Sequence, residues 1–266
     1  MVDRYAVIGN PVAHSKSPWI HAEFARQTGQ ALEYGRIEAP LEGFAAALQA
    51  FRAAGGRGLN VTLPFKQEAY HACGATTACA AAAGAVNTLS FEREGIRGDN
   101  TDGAGLVTDV ERNLGLAIAG KRVLLVGAGG AARGVLRPLL DRAPATLVIA
   151  NRTVERATEL ARAFPAVRAA GFAELQGKSF DLVVNATSAG LAGEAPALPG
   201  GVFAAGALAY DMVYGRETPF LQLARAAGAR ASDGLGMLVE QAAESFLVWR
   251  GVRPRTAAVL EALRRQ

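Results

Sequence analysis

The stretch that decides the fold of this 266-residue sequence is Val123-Leu124-Leu125-Val126-Gly127-Ala128-Gly129-Gly130-Ala131-Ala132. Its apolar start predicts a buried strand, and the G-x-G-x-x-A pattern after it predicts a tight turn that opens a helix. Gly127 permits the turn, Gly129 lets the backbone approach a pyrophosphate, and the small Ala132 lets the helix pack against the sheet. Unpaired N–H groups at the start of the helix attract phosphate. The stretch therefore predicts a dinucleotide-binding α/β fold.

Strand-like and helical segments alternate on both sides of this turn. Apolar β-type runs predict strands at 5–8, 32–37, 59–62, 85–91, 121–126, 146–150, 181–185 and 207–211. Periodic segments predict helices at 17–27, 41–54, 130–140, 153–163, 219–227, 235–249 and 256–264. Such alternation is typical of mostly parallel sheets with helical crossovers, and two series of it predict two α/β domains with a boundary near residues 101–120.

The choice of dinucleotide depends on the end of the second predicted strand of this fold, at Asn151-Arg152-Thr153. Proteins that bind NAD usually carry Asp or Glu there, to bind the ribose 2′-hydroxyl. This sequence has no carboxylate at that point, and Arg152 and Arg156 stand nearby. A guanidinium binds a 2′-phosphate, so the sequence predicts NADP rather than NAD. Arg156 has an alternative interpretation, as a solvated helix residue paired with Glu155 or Glu159.

Composition and charge exclude several other functions. The net charge is +4, but the basic residues are scattered, so no nucleic-acid partner is predicted. No apolar run of about 18 residues predicts a membrane span, and the absence of a leader pattern makes a cytoplasmic protein the expectation. Cys73 and Cys79 do not form a CxxC pair, and the three histidines do not form a metal motif. No metal is therefore predicted.

Three polar clusters at predicted segment ends would suit a small hydroxylated acid as the ligand. Each also has a local explanation. Ser17 is a candidate N-cap, Asp102 complements a helix N-terminus, and Lys66 is a candidate surface lysine. Ligands of open α/β sheets lie outside the carboxyl ends of the strands, where these clusters fall. They are Ser15 to Ser17, Asn60 to Lys66, and Asn100 to Asp102.

Five motifs in the same order along the chain make the sequence resemble the shikimate dehydrogenase family. They are Asn10-Pro11 with His14-Ser15-Lys16-Ser17-Pro18, then Asn60 to Lys66, Gly84 to Thr88, Gly98 to Gly103, and Asp233 to Leu238. The resemblance implies an enzyme that reduces 3-dehydroshikimate reversibly to shikimate with NADPH, in aromatic amino acid biosynthesis. It implies a substrate-binding domain of residues 1–101 plus about 237–266, and a Rossmann-type NADP-binding domain of residues 102–236.

The resemblance also implies roles for individual residues. Lys66 and Asp102 would be catalytic. Ser15 and Ser17, assisted by Tyr214, would bind the substrate carboxylate, and the ring hydroxyls would contact Thr62, Lys66, Asn87, Asp102 and Gln241. The implied cofactor-binding residues are Gly127, Ala128, Gly129, Gly130, Ala131, Asn151, Arg152, Thr153, Arg156, Thr187, Ser188, Met212 and Gly234. Many relatives carry an acidic residue where this sequence has Ala78, so any contact made by that carboxylate is absent here.

A reacting ketone needs a group that donates a proton and stabilises negative charge on its oxygen. Lys66 is the candidate, because a lysine side chain is ordinarily protonated at neutral pH. Three alternatives stay open: a quinate/shikimate dehydrogenase that uses NAD, a non-catalytic sensor that binds NADP and shikimate, and another two-domain NADP enzyme such as a methylenetetrahydrofolate dehydrogenase. The predicted partner is a small-molecule substrate, and the sequence leaves a homodimer open.

Overall fold

The first half of the chain alternates strands and helices, as the sequence predicts. The computed structural model describes residues 2–187 and 193–265. The elements of this half are β1 (Asp3–Gly9), α1 (Ser17–Thr28), β2 (Leu32–Glu38), α2 (Phe44–Ala53), β3 (Gly56–Val61), α3 (Lys66–His71), β4 (Ala75–Thr76), α4 (Ala78–Ala83), β5 (Thr88–Glu92), β6 (Gly95–Asp99) and α5 (Asp102–Thr108).

The second half begins with a π-helical turn at Asp109–Asn113, which continues directly from α5. The remaining elements are β7 (Arg122–Val126), α6 (Gly130–Leu140), β8 (Thr146–Ala150), α7 (Val154–Arg162), β9 (Val167–Ala170), β10 (Phe180–Asn185), β11 (Phe203–Asp211), α8 (Pro219–Ala226), β12 (Arg230–Ser232), α9 (Leu235–Arg250) and α10 (Ala257–Arg264). A short 3₁₀ helix at Ala173–Leu175 precedes β10.

These elements form two compact units. Unit 1 consists of the residues up to Gly105 and those from Leu238 onward, and unit 2 consists of Leu106–Met237. No helix in the described part of the chain is both long and apolar enough to cross a membrane.

Unit 1 is built on a six-stranded mixed sheet in the order β2-β1-β3-β5-β6-β4. β1 pairs in parallel with β2 and β3, whereas β5 runs antiparallel to both β3 and β6. β1 is buried from Tyr5 to Ile8, as expected for a central strand that is covered on both faces. Phe44, Leu48 and Phe65 pack with Ile8 in one apolar core, so α2 and the start of α3 are held against the sheet.

Unit 2 is built on a six-stranded parallel sheet in the order β12-β11-β10-β7-β8-β9. Read from the other edge, this is the strand order of a doubly wound dinucleotide-binding sheet. The central strand β7 is buried from Val123 to Val126, and the turn that carries the glycine pattern follows it directly. A core that includes Leu124, Val183 and Phe220 fills the unit.

Several local predictions differ from the structure. Ser17 is not an N-cap: α1 begins at Ser17 itself, and the Ser17 hydroxyl is bonded to that of Ser15. The segment 85–91 does not form ladder pairs until Thr88, because the backbone of Val86 donates to Lys66 outside the sheet. The short strands β4, β9 and β12 have too few residues to show a pattern of their own and were not predicted.

Candidate active site

A lysine–aspartate pair is the centre of the candidate site in unit 1. Lys66 is the first residue of α3 and Asp102 the first residue of α5. Lys66 Nζ donates to Asp102 Oδ2 over 2.6 Å, and the two side chains are 29% and 13% exposed. Both residues begin helices that follow β3 and β6, two strands that run in the same direction, so the pair forms at one end of the sheet. The ammonium is held in place yet remains partly accessible, as a proton donor to a ligand must be.

Asn87 links this pair to helix α9. Its amide nitrogen donates to Asp102 Oδ1 over 2.9 Å and approaches Gln241 Oε1 at 3.3 Å. Its amide oxygen accepts from the backbone N–H of Thr101 over 2.9 Å, which fixes the orientation of the amide. Gln241 also donates to the carbonyl of Leu238, one turn earlier in the helix. Both oxygens of the Asp102 carboxylate therefore have a donor.

A buried polar network that the sequence did not reveal lies next to Asn87. The Asn60 amide nitrogen donates to Ser245 Oγ over 2.9 Å and to Thr88 Oγ1 over 3.2 Å. The Ser245 hydroxyl lies 2.8 Å from that of Thr88 and 3.2 Å from that of Thr101. All four residues are buried. A satisfied network of this kind is rigid, and it holds the backbone on both sides of Asn87.

Ser15 and Ser17 form a second polar group in unit 1, at the start of α1. The two hydroxyl oxygens are 3.2 Å apart, and the backbone N–H of Ser17 donates to Ser15 Oγ over 3.3 Å. The hydroxyl of Tyr34 donates to Asn60 Oδ1 over 2.7 Å. Burial raises the pKa of Tyr34 well above its usual value, and a hydrogen bond with Ser17 opposes this. Tyr34 thus connects the serine pair to the network around Asn87.

Four of the predicted substrate residues of unit 1 are linked to one another. Hydrogen bonds join Lys66, Asn87, Asp102 and Gln241 into one cluster. Thr62 follows β3, and its backbone N–H donates to the carbonyl of Ile8. Tyr214 belongs to unit 2, where burial raises the pKa of its hydroxyl, so its role toward the serine pair stays a prediction.

The glycine turn of unit 2 has the features that a pyrophosphate requires. Gly127 has φ 108°, which favours glycine, and its N–H donates to the carbonyl of Ala150 over 2.8 Å. No side chain caps the start of α6 at Gly129, and Ala131 is exposed like Gly129. A Cβ added at Gly129 or Gly130 would meet no heavy atom within 4 Å. Open space therefore adjoins an uncapped helix N-terminus, which fits a phosphate group. Ala128 is half-buried between these glycines.

The loop after β8 presents two arginines. Asn151 donates its side-chain N–H to the carbonyl of Thr153 over 2.8 Å, which closes the loop into a local turn. Arg152 and Arg156 are exposed, and neither has a carboxylate partner within 4.0 Å in the described part of the chain. The alternative pairing of Arg156 with Glu155 or Glu159 is therefore not formed, and both guanidinium groups remain available to an anion.

A buried carboxylate lies beside the predicted cofactor residues Thr187 and Met212. Asp211, at the end of β11, accepts from Thr218 Oγ1 over 2.6 Å and from Asn185 Nδ2 over 3.2 Å. Burial raises its pKa, and these hydrogen bonds lower it by less. Asn185 in turn accepts from the Thr187 hydroxyl over 2.8 Å, and its carbonyl accepts from the N–H of Met212.

Gly234 and Ser188 are the two other predicted cofactor residues in the segments after β10 and β12. The N–H of Gly234 donates to the carbonyl of Val213, and a Cβ on Gly234 would lie 2.5 Å from the carbonyl oxygen of Met212. Glycine therefore allows the segment before α9 to pass close to the turn after β11. The predicted residue Ser188 lies outside the residues that the structure describes.

These features define the class of two-domain, pyridine-nucleotide-dependent dehydrogenases. The chain matches the family models described as shikimate dehydrogenase substrate binding domain over residues 7–89, shikimate / quinate 5-dehydrogenase over residues 109–192, and shikimate 5′-dehydrogenase C-terminal domain over residues 234–264. The chain belongs to the shikimate dehydrogenase family.

Individual relatives are similar over the whole chain. It is 62% identical to a shikimate dehydrogenase (NADP(+)) of Aromatoleum aromaticum, covering 100% of this chain and 98% of the relative. Among solved structures, an Ael1 enzyme from Pseudomonas putida has 50% identity and a TM-score of 0.96, with 98% of each chain covered. Shikimate 5-dehydrogenase from Thermus thermophilus in complex with NADP(H) and shikimate has 36% identity and a TM-score of 0.89, covering 100% of this chain and 99% of that one.

Proposed function

We propose that the chain is an NADP-dependent shikimate dehydrogenase, which reduces 3-dehydroshikimate reversibly to shikimate in the pathway to aromatic amino acids. The observation that carries the proposal is the cluster of Lys66, Asn87, Asp102 and Gln241. It offers an ammonium, two amides and a carboxylate within one group of hydrogen bonds, as a ring with several hydroxyls needs. The relatives named shikimate dehydrogenase (NADP(+)) support the same activity.

Lys66 would donate the proton that the carbonyl oxygen gains in the reduction. NADPH, when bound, supplies the hydride that goes to the carbonyl carbon, and the carbonyl oxygen gains negative charge as this happens. The Lys66 ammonium would stabilise that charge and donate a proton to the oxygen. Asp102 accepts from Lys66 Nζ at 2.6 Å, so the ammonium is oriented before a substrate arrives. In the oxidising direction Lys66, as the neutral amine, would accept the proton of the substrate hydroxyl.

The other polar residues of unit 1 would orient the substrate. Ser15 and Ser17, whose hydroxyls are 3.2 Å apart, would donate to the carboxylate, and Tyr214 would assist them. Thr62, Asn87 and Gln241 would hold ring hydroxyls. Because the buried network beside Asn87 fixes its amide, that amide can distinguish a hydroxyl at one position of the ring from the same group elsewhere.

The glycine turn and the loop after β8 would bind the cofactor. The uncapped start of α6 at Gly129 and the open space above Gly130 fit a pyrophosphate. Arg152 and Arg156 would bind the 2′-phosphate that distinguishes NADP from NAD. Thr187, Met212 and Gly234 would lie along the rest of the cofactor. Asn185 bonds to Thr187 and Met212, and the N–H of Gly234 bonds to the carbonyl of Val213.

A steady-state absorbance assay tests the proposal. The purified chain is given shikimate with NADP, then shikimate with NAD, then quinate with each cofactor. We expect turnover of shikimate with NADP to exceed every other combination. A preference for NAD or for quinate would favour the quinate/shikimate alternative, and an absence of turnover with ligand binding retained would favour the sensor.

A pair of lysine variants tests the catalytic role. Lys66→Ala should lower kcat roughly 10²–10⁴-fold, the usual contribution of a general acid, with a smaller change in KM. The matched control is Lys178→Ala, because Lys178 is an exposed lysine of unit 2 outside the proposed site. A kcat for Lys66→Ala equal to that of the control would mean that another residue transfers the proton.

The location and assembly of the protein stay predictions. A cytoplasmic location follows from the proposed biosynthetic role, and fractionation of cells that express the chain tests it. A homodimer is tested by light scattering of the purified chain, which separates one copy from two.

A further inference from the structure

Arg36 on β2 makes an unusual pair of hydrogen bonds for an exposed arginine. Its guanidinium donates through Nη2 over 2.6 Å and through Nε over 3.2 Å to the backbone carbonyl of Ser15. The two residues are 21 positions apart in the sequence. A guanidinium at the surface ordinarily pairs with a carboxylate or with water, and a two-pronged contact fixes its orientation as well as its position.

The charge of Arg36 is not neutralised by this contact. A carbonyl oxygen is neutral, and no carboxylate of the described residues lies within 4.0 Å of the guanidinium. Glu38 is two residues further along the same strand, but one of its carboxylate oxygens accepts from the N–H of Val12. At the Ser15 end of this loop the nearest charge shown is therefore that of Arg36, whereas the Glu38 carboxylate contacts the loop at Val12.

That loop is held from three directions. The N–H of Ser15 donates to the carbonyl of Val12, the Ser15 hydroxyl accepts from the N–H of Ser17, and the Ser15 carbonyl accepts from Arg36. The first two contacts are local to the loop. Glu38 ties the start of the loop to β2 at Val12, and Arg36 ties it at Ser15, so removal of Arg36 leaves the spacing of the two serine hydroxyls less well defined.

We propose that Arg36 is a positioning and specificity-determining residue for substrates that carry a carboxylate; this inference rests on the proposed function. The serine hydroxyls are neutral donors, so they supply no positive charge to balance that of a carboxylate. Because Arg36 contacts the Ser15 backbone directly, its charge is closer to a ligand at the Ser15 hydroxyl than the Debye length, which is about 10 Å at 0.1 M salt. Salt therefore screens the attraction only in part. Arg36 thus favours an anion at this end of the substrate.

Three variants separate the two contributions of Arg36. Arg36→Gln removes the charge and keeps an amide donor, and Arg36→Lys keeps the charge and loses the two-pronged contact. Arg97→Gln is the matched control, because Arg97 is an exposed arginine on β6 of the same unit. Circular dichroism and thermal unfolding check that each variant folds, and Arg36→Lys keeps the test valid if Arg36→Gln does not.

The readout is steady-state kinetics with shikimate and with its methyl ester, at low and high salt. We expect Arg36→Gln to raise the KM for shikimate about ten-fold, which is about 1.4 kcal/mol, while kcat and the KM for NADP change less than two-fold. The KM for the ester should change much less. Added NaCl should raise the KM of the native chain for shikimate more than that of Arg36→Gln, and Arg36→Lys should recover most of the lost affinity.

Two results would overturn the proposal while leaving the proposed function intact. One is a KM for shikimate in Arg36→Gln within two-fold of the native chain, which would make the contact with Ser15 irrelevant to binding. The other is an equal rise of KM for shikimate and for the ester, which would leave no role for the charge. Failure of the native chain to oxidise shikimate would instead refute the proposed function, and this inference with it.

Discussion

The imidazole of His21 makes the folded state less stable as the pH falls. His21 is completely buried, and its ring stacks on that of Tyr34 with a centroid distance of 4.2 Å and an interplanar angle of 5°. Phe24 and Trp249 lie at 6.0 and 5.5 Å from the same ring. Among the described residues, neither ring nitrogen finds a hydrogen-bond partner. An imidazolium in this aromatic enclosure would lose its hydration without gaining a counter-charge.

Burial accordingly lowers the pKa of His21 from 6.5 to about 3, and the side chain of Asn60 opposes this only in part. Below pH 6.5 the unfolded chain takes up a proton at this position, whereas the folded chain does so only near pH 3. Stability is therefore lost as the pH falls through this window. Integration of the proton linkage shows that the free energy of unfolding falls by about 2 kcal/mol between pH 7.5 and pH 5.

The assay is urea unfolding of the native chain and of His21→Phe at pH 7.5 and at pH 5. Phenylalanine fills a similar volume, can stack on Tyr34 and cannot be protonated. Trp19 and Trp249, the two tryptophans of the chain, both belong to unit 1, so their fluorescence reports on the unit that contains His21. Other groups also titrate, but they do so in both proteins, and the difference between the two losses isolates the histidine.

Between pH 7.5 and pH 5, we expect the free energy of unfolding to fall by about 2 kcal/mol more in the native chain than in His21→Phe. His71→Gln is the matched control, because His71 is an exposed histidine of the same unit. Equal losses in the native chain and in His21→Phe would refute the reasoning, since they would mean that the buried ring accepts a proton as readily as a solvated one.

Two further predictions concern unit 2. Gly236→Ala should destabilise the chain by about 1–3 kcal/mol, measured by thermal unfolding, because the new Cβ would lie 2.0 Å from Oδ1 of the buried Asp109. Gly35→Ala is its control, since a Cβ there meets nothing within 4 Å, and equal stability of the two variants would contradict the prediction. Arg152→Asp should lower the NADP to NAD ratio of kcat/KM by at least about ten-fold, because a carboxylate repels the 2′-phosphate and accepts from a 2′-hydroxyl. Arg168→Asp, a charge reversal at an exposed arginine of β9, should leave that ratio unchanged, and an unchanged ratio in Arg152→Asp would remove Arg152 from the cofactor site.

The sequence by itself determined the local parts of this protein. The run from Val123 to Ala132 predicted a strand, a turn and a helix. A buried strand, a positive φ and a helix start each restrict which residue types can occupy adjacent positions. The resemblance to the family predicted a substrate or catalytic role separately for Lys66, Asn87, Asp102 and Gln241. No local pattern could say that these four side chains are hydrogen-bonded to one another, since they come from segments up to 175 residues apart.

Only the tertiary structure decided which polar residues meet. No sequence motif predicts a shared role for Asn60, Thr88 and Ser245. Strand β3, strand β5 and helix α9 bring them into one buried network beside Asn87. Arg36 reaches Ser15 only because β1 and β2 pair in parallel, which sets the end of β2 beside the loop that follows β1. The physical reason is that contacts between distant segments depend on sheet order and register, which no single stretch of sequence encodes.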